Sequence, residues 1–467
     1  MADKHIRLDS KFSSIAGFWK PGAPSKVMTG NLTIDDDGIR FITSPKYARG
    51  SKVRTPPMGQ INLSSTAKTG VLQGFFEEGD CTLLHLPVVE PIGHTAYDEV
   101  SQSICSTLYR GTALVSGMHT GAFHHRCIDS ARYTFTSLAE WVPKTFNEEW
   151  DKEHITIKLP MQEKTLLEFT VDSMRARVEL KVRYTLTTDE ESKARQIKPV
   201  VFIEVTPEKC ESLSWFLGTG NRLENLFSLL TGTSVGMETL FIYRGEQNGT
   251  IIRKQRSVVR PYEVLEAVRC TSSQLAHAIT TWLGESKGFR EIERLLLGVL
   301  RKSELFIETE FLSLAQALEG FHRATGKEIN LGKPAFKDLR KKIEKFLQKQ
   351  RVDAETAMRV NSAVAYSNQT SFRSRLKELC TRMSAATLAQ MQISETETFI
   401  GSVVQMRNFF THAGGSSNAR KTPLNGRELF LLSQKMRALL RGVFLLHLGF
   451  PEQQIQDLIV REGTKWR

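Results

Sequence analysis

The chain has no apolar run approaching the roughly 18 to 20 residues that a membrane-spanning helix needs, so no such helix is expected. Residues 1–10 are polar and lack the apolar core of a signal peptide, which predicts a cytoplasmic protein. The six cysteines (Cys81, Cys105, Cys127, Cys210, Cys270 and Cys380) include no CxxC pair. Neither a disulfide framework nor a zinc knuckle is expected from them. There is no low-complexity tract and no internal repeat is apparent. Thr231-Gly232-Thr233-Ser234-Val235-Gly236 lacks the GK[ST] ending of a phosphate loop and reads as a turn.

What is present is a globular composition with an uneven charge. The 467 residues are 40% hydrophobic and 24% charged, too many for one ordinary core. Residues 286–467 hold 30 Lys and Arg against 18 Asp and Glu, whereas residues 1–285 hold 33 against 33. The net charge of +12 therefore belongs to the last part of the chain. That is the footprint expected of a domain that meets phosphate backbones, although a solvated basic surface would look the same.

Residues 1–285 read as strands. Gly30-Asn31-Leu32-Thr33-Ile34 and Gly38-Ile39-Arg40-Phe41-Ile42 flank an acidic hairpin turn at Asp35-Asp36-Asp37. Residues 71–76 and 81–86 flank a second turn, and runs at 112–118, 127–135, 154–159, 166–171, 178–186 and 200–205 continue the pattern. Many short alternating strands predict an antiparallel, two-sheet β domain, with helices near 211–230 and 262–284. Beyond residue 285 the apolar period is helical at 288–301, 304–325, 335–350, 353–366, 371–383, 394–412, 426–448 and 451–460. The expected class is α+β, a β-rich unit followed by an all-helical bundle.

On the helix over 394–412, projected at about 100° per residue, Phe399, Ile400, Val403, Val404, Met406 and Phe410 form a core face. Asn408 and His412 are four residues apart and stack on a polar face, where Asn408 can orient the imidazole. Arg407 falls within the apolar arc and needs a carboxylate, a helix end, a partner subunit or a phosphate. Glu319 is the leading candidate for that partner. Gly414-Gly415 then ends the helix, leaving His412 in its last turn, where the helix dipole favours the charged ring. A histidine suited to proton transfer beside an arginine suited to phosphate charge can support attack of a ribose 2′-OH on the adjacent phosphate without a metal or other cofactor. By spacing alone the pair fits equally a capping histidine with an arginine bound to a helix carboxylate.

His124 and His125 are adjacent and would point to opposite faces of a strand, so with His119 and Cys127 they read as a turn, not a metal site. Glu319 and His322, three apart on one helix, read as a structural ion-pair position. Lys337, Arg340, Lys341, Lys342, Lys345, Lys349 and Arg351 share a helix whose other side (Phe336, Leu339, Ile343, Phe346, Leu347) is expected to be buried. Lys337, Arg340, Lys341 and Lys345 are the candidates for contact with an RNA backbone.

Met406-Arg407-Asn408-Phe409-Phe410-Thr411-His412 resembles the R-N-x-x-x-H form of the HEPN signature. Residues 311–322 are similar to the first long helix of that domain, and Ser371-Phe372-Arg373-Ser374-Arg375-Leu376 and residues 439–451 also fit. Ala16-Gly17-Phe18-Trp19-Lys20-Pro21-Gly22, Gly30-Asn31-Leu32-Thr33 and Ser137-Leu138-Ala139-Glu140-Trp141 resemble the domain that precedes HEPN in the ApeA anti-phage family. The resemblance implies an abortive-infection endoribonuclease in which Arg407 and His412 are catalytic and Asn408 assists. It also implies a homodimer or higher homo-oligomer through the HEPN domain, two motifs lining one cleft, an RNA substrate, a phage-derived trigger and no membrane partner. Two alternatives stay open. The bundle could bind RNA or a nucleotide and dimerise without cutting, or the β-rich part could be the functional centre that recognises a phage component.

Overall fold

The computed structural model describes residues 12–35, 37–44, 46–48, 70–77, 79–94, 103–120, 126–136, 138–141, 147–150, 155–158, 162–188, 195–232, 234–252, 270–285, 287–301, 306–326, 331–411 and 424–463. Strands β1 (Phe12–Trp19), β2 (Met28–Asp35), β3 (Gly38–Thr43), β4 (Lys46–Ala48), β5 (Gly70–Phe76), β6 (Gly79–His94) and β7 (Ser103–Ser116) come first. Then follow β8 (Arg126–Ile128), β9 (Ser130–Phe135), β10 (Asn147–Trp150), β11 (Ile155–Lys158), β12 (Lys164–Val171), β13 (Ala176–Thr188), β14 (Arg195–Pro207) and β15 (Glu211–Ser212). Helix α1 (Leu213–Thr231), strands β16 (Met237–Arg244) and β17 (Gln247–Ile252), and helix α2 (Ser272–Gly284) complete this part. The chain divides into two compact units: residues 1–227, 234–262 and 271–284 form one, and 228–233, 263–270 and 285–467 the other.

Alternation decides the first unit. In β2, Gly30, Leu32 and Ile34 are buried while Asn31 and Thr33 face outward; in β1, Ala16 and Phe18 go in and Ile15 goes out. Both expected hairpins are present, β2 with β3 across the acidic turn and β5 with β6. The two facing walls expected from the alternation belong to one hydrogen-bonded network. The pairings β1–β2, β2–β3, β3–β7, β7–β6, β6–β5 and β5–β1 close into a ring. Its inside is the core made by Ala16, Phe18, Leu32, Phe41, Leu72, Leu83, Tyr109 and Leu114, with Phe18 edge-on to Phe41 at 4.7 Å. Irregular register on either side of His85 bends the long β6 so that closure is reached. Gly74 is required there: a Cβ would stand 2.3 Å from the Gly17 carbonyl oxygen.

From β7 the same 13-stranded antiparallel sheet continues through β17, β16, β9, β14, β13 and β12. The run expected as one strand over 127–135 is broken at Asp129, whose carboxylate accepts from the Gly245 N–H and the Cys210 thiol; β8 pairs instead with β15. For that reason the helix expected from residue 211 starts at Leu213. Helix α1 lies on the sheet through Phe216 and Gly220, with the Tyr133 hydroxyl donating to the Phe216 carbonyl at 2.9 Å. It stops at Thr231, where Gly232 takes a left-handed φ of 73°. Of the helix expected over 262–284, Ser272–Gly284 is helical and 262–269 lie outside the described residues.

The second unit is helical, as expected: α3 (Lys287–Arg301), α4 (Ile307–Thr325), α5 (Lys333–Lys349), α6 (Ala354–Ser367), α7 (Phe372–Thr381), α8 (Ala385–Gln390), α9 (Thr396–Thr411), α10 (Gly426–His447) and α11 (Glu452–Gly463). Its centre is Phe289, Phe321 and Phe444, with ring centroids 4.7 to 5.8 Å apart. Helix α10 starts with a full capping box between Asn425 and Glu428. The short α8 was not expected; the Ser384 side chain caps it by accepting from the Thr387 N–H. Among the described residues no helix is long and apolar enough to cross a membrane.

Candidate functional site

Helix α9 is held by one face. Phe399, Ile400, Val403 and Met406 are buried, in the three- and four-residue spacing that brings side chains onto one side of a helix. Of the expected core face, Val404 and Phe410 are half-buried; the Phe410 ring lies 5.8 Å from that of Phe311 at the start of α4. The helix is fixed at its other end by Glu397, which accepts from Arg373 at 2.8 Å and Lys377 at 3.0 Å, both on α7. Those two cations hold the Glu397 carboxyl below its ordinary range.

Arg407 sits at the edge of the buried face and is half-exposed. Its guanidinium carbon is 5.8 Å from the centre of the Phe372 ring, within range of cation–π attraction. One Nη1 hydrogen goes to Asn408 Oδ1 at 3.3 Å. The Thr411 hydroxyl donates to the carbonyls of Arg407 and Asn408, at 2.8 and 3.3 Å, and ties down the last turn of α9. Among the described residues Arg407 has no carboxylate partner. Arg373, Lys377, Arg382 and Arg437 of the same unit each face one.

One expectation about this arginine changes. Glu319, expected opposite Arg407, accepts instead from Arg323 at 2.7 Å, because the residue four positions on along the same helix is the nearer cation. Asn408, expected to orient His412, accepts from Arg407 through its carbonyl oxygen, and its expected contact with His412 falls outside the described residues. His412 itself lies outside the described residues, as do Gly414 and Gly415. What the described part offers is a guanidinium that keeps most of its five donors and its full charge for an anion, backed by an aromatic ring.

The basic helix α5 differs from its expected packing. Lys337, Arg340, Lys341 and Lys345 are exposed, as a backbone-binding face requires. The side expected to be buried is not: Phe336, Ile343 and Leu347 are half-buried, Leu339 is 39% exposed and Phe346 59%. Helix α5 packs chiefly on α6, and two amphipathic helices alone cannot cover each other's apolar stripes.

A polar cluster that the sequence did not reveal lies on the far part of α4. His322 is fully buried, with Nε2 2.7 Å from Glu378 Oε2 and Nδ1 3.3 Å from Arg375 Nη1, both on α7. The sequence marked His322 and Arg375 separately; an i, i+3 pair of opposite charge on α7 facing a histidine was the signal available. In the β unit, His119 Nε2 is 2.9 Å from the Gly74 carbonyl and the Cys127 thiol donates to the Thr120 carbonyl. His124 and His125 lie outside the described residues. Among the described residues no group of His, Cys, Asp and Glu is arranged to hold a metal ion.

Neither a curated protein nor a solved structure matches the chain significantly. Two family models do match. The model described as ApeA N-terminal domain 1 spans residues 14–257, more than half of the chain, and covers the closed ring and its sheet extension. The model described as Apea-like HEPN spans residues 312–454, from within α4 to the start of α11, and includes Arg407 and the whole of α9. The chain belongs to the ApeA-like HEPN family.

Proposed function

We propose that this protein is an anti-phage defence effector whose helical unit is a metal-independent endoribonuclease. Its family fits an anti-phage role. The observation that supports the activity is the state of Arg407: charged, half-exposed, without a carboxylate partner among the described residues, and placed five residues before His412. The basic excess of residues 286–467 supports a phosphate-bearing substrate.

In this reading RNA lies with one phosphate against the Arg407 guanidinium. The ribose 2′-oxygen attacks the adjacent phosphorus as its proton leaves to a histidine, and the P–O5′ bond breaks as the 5′-oxygen is protonated. The products are a 2′,3′-cyclic phosphate and a 5′-OH. Arg407 stabilises the charge that grows on the non-bridging oxygens, and His412 is the proton carrier. Asn408 steers the guanidinium by accepting one of its hydrogens. Two copies of the helical unit place two such motifs along one cleft, and the exposed lysines and arginine of α5 guide the RNA strand. The β-rich unit is the sensor of a phage-derived trigger.

The test is cleavage of cellular RNA, with toxicity on expression, in the wild type and its loss in both Arg407→Ala and His412→Ala. Full activity in those variants removes the site assignment. RNA binding without cleavage by the wild type would make the helical unit a binding module.

A further inference from the structure

The His322 cluster has no part in the chemistry above, yet its geometry leads to Arg407. A guanidinium can only donate, so the Arg375 contact makes Nδ1 of His322 an acceptor. The ring proton is then on Nε2 and is donated to Glu378. That hydrogen bond is the main reason the Glu378 carboxyl is held below its ordinary range. Glu378 also faces Arg382 at 3.5 Å, and Arg382 donates to Thr325 Oγ1 at 2.8 Å. The remaining side of the ring is closed by Gly326, where a Cβ would come within 2.8 Å of His322 Nε2. Arg375 is 1% exposed, and its Nε donates to the Thr370 carbonyl at 3.0 Å, just before α7 begins.

This network fixes α7 against α4 in one rotational setting, since an apolar contact would tolerate sliding that directed hydrogen bonds do not. Phe372 is the first residue of α7, three before Arg375, and so lies on the same side of the helix. The Phe372 ring is the surface over which the Arg407 guanidinium lies. We propose that His322 is a positioning residue for the Arg407 phosphate site, acting through Arg375 and the Phe372 ring. The inference rests on the ribonuclease function proposed above for Arg407, and it makes α7 the part that sets where the scissile phosphate is held.

The experiment compares the full-length wild type with His322→Phe, His322→Gln, Phe372→Leu and the double variant His322→Phe/Phe372→Leu. RNA-cleavage kinetics are measured alongside NMR of the arginine side chains, with the Arg407 signal identified by its loss in Arg407→Lys. His322→Phe is expected to lower kcat by up to about five-fold, the loss expected for the Phe372 ring through which it acts, with KM changed less than about two-fold. His322→Gln, which can still accept from Arg375 and donate to Glu378, is expected to recover much of the rate. The double variant is expected to be little slower than the worse single variant, since both changes act on one relationship. The Arg407 signal is expected to lose its ring-current displacement in both Phe372→Leu and His322→Phe. A lower thermal midpoint with unchanged kcat and an unmoved Arg407 signal overturns the proposal and leaves His322 a stability residue. If the wild type cleaves no RNA, the ribonuclease function fails and the Arg407 signal alone decides the positioning role. Should His322→Phe not fold, His322→Asn, too short to reach both partners, takes its place.

Discussion

Arg407 lies over the ring of Phe372, 5.8 Å from its centre, instead of pairing with Glu319. The charge is therefore held in place by a neighbour that does not neutralise it. Replacing Arg407 by alanine is expected to lower RNA cleavage by about 10² to 10³-fold, the usual cost of losing a group that stabilises transition-state charge. Arg407→Lys keeps the charge but not the planar fork and is expected to recover only a small part. Phe372→Leu is expected to cost about 1 kcal/mol, roughly five-fold in rate. Steady-state cleavage of one RNA by all three variants checks the order.

The exposed cations of α5 make a salt-dependence prediction. Changing Lys337, Arg340, Lys341 and Lys345 to glutamine is expected to reduce the slope of log affinity against log salt by about 0.7 per lost phosphate contact. Binding titrations at several salt concentrations measure it. An unchanged slope would reduce α5 to a solvated helix.

Acid should loosen the helical unit. Glu378 and Glu452 both have carboxyls held below the ordinary 4.5, the first mainly by the hydrogen bond from His322 and the second mainly by that from the Thr387 hydroxyl. A carboxylate with a lowered folded value binds fewer protons in the folded chain than in the unfolded one. Its stabilisation is complete above pH 4.5 and is lost as pH falls through the folded value. Thermal unfolding as a function of pH is expected to be steeper on the acid side in the wild type than in Glu378→Gln or Glu452→Gln. Equal acid limbs would show that these contacts contribute nothing net.

The thiols should be quiet. Burial is the main cause that pushes Cys81 up to about 12 and Cys270 and Cys380 to about 11, so little thiolate is present at neutral pH. Cys210 is exposed, but its hydrogen bond to Asp129 also raises its value. A colorimetric thiol titration is expected to label Cys81 and Cys380 only after unfolding. Fast labelling of Cys380 in the native protein would mean that α7 opens readily.

The features legible in the sequence were those set by neighbours along the chain. Alternation located β2 and β3, and the 3.6-residue period located α4, α7, α9 and α10, because each rests on which side chains share a face. Partner choice was less legible. Nothing local says that β7 pairs with both β3 and β6 and so closes the ring. At the site, the period placed Arg407 at the edge of a buried face. It could not show that Arg323 claims Glu319, or that Asn408 turns to Arg407, because both depend on competition among donors of similar reach. The exposed apolar side of α5 had the same cause: its period marks a stripe, and only the tertiary packing determines whether anything covers it.

The most direct test is to map RNA ends after brief induction of the wild type and of His412→Ala, in a strand-specific assay that distinguishes 2′,3′-cyclic phosphate from 3′-OH termini. New cyclic-phosphate and 5′-OH ends at shared positions, present in the wild type and absent in His412→Ala, are the expected result. An equal yield of such ends from both proteins, or none from a wild type that still arrests growth, would contradict it.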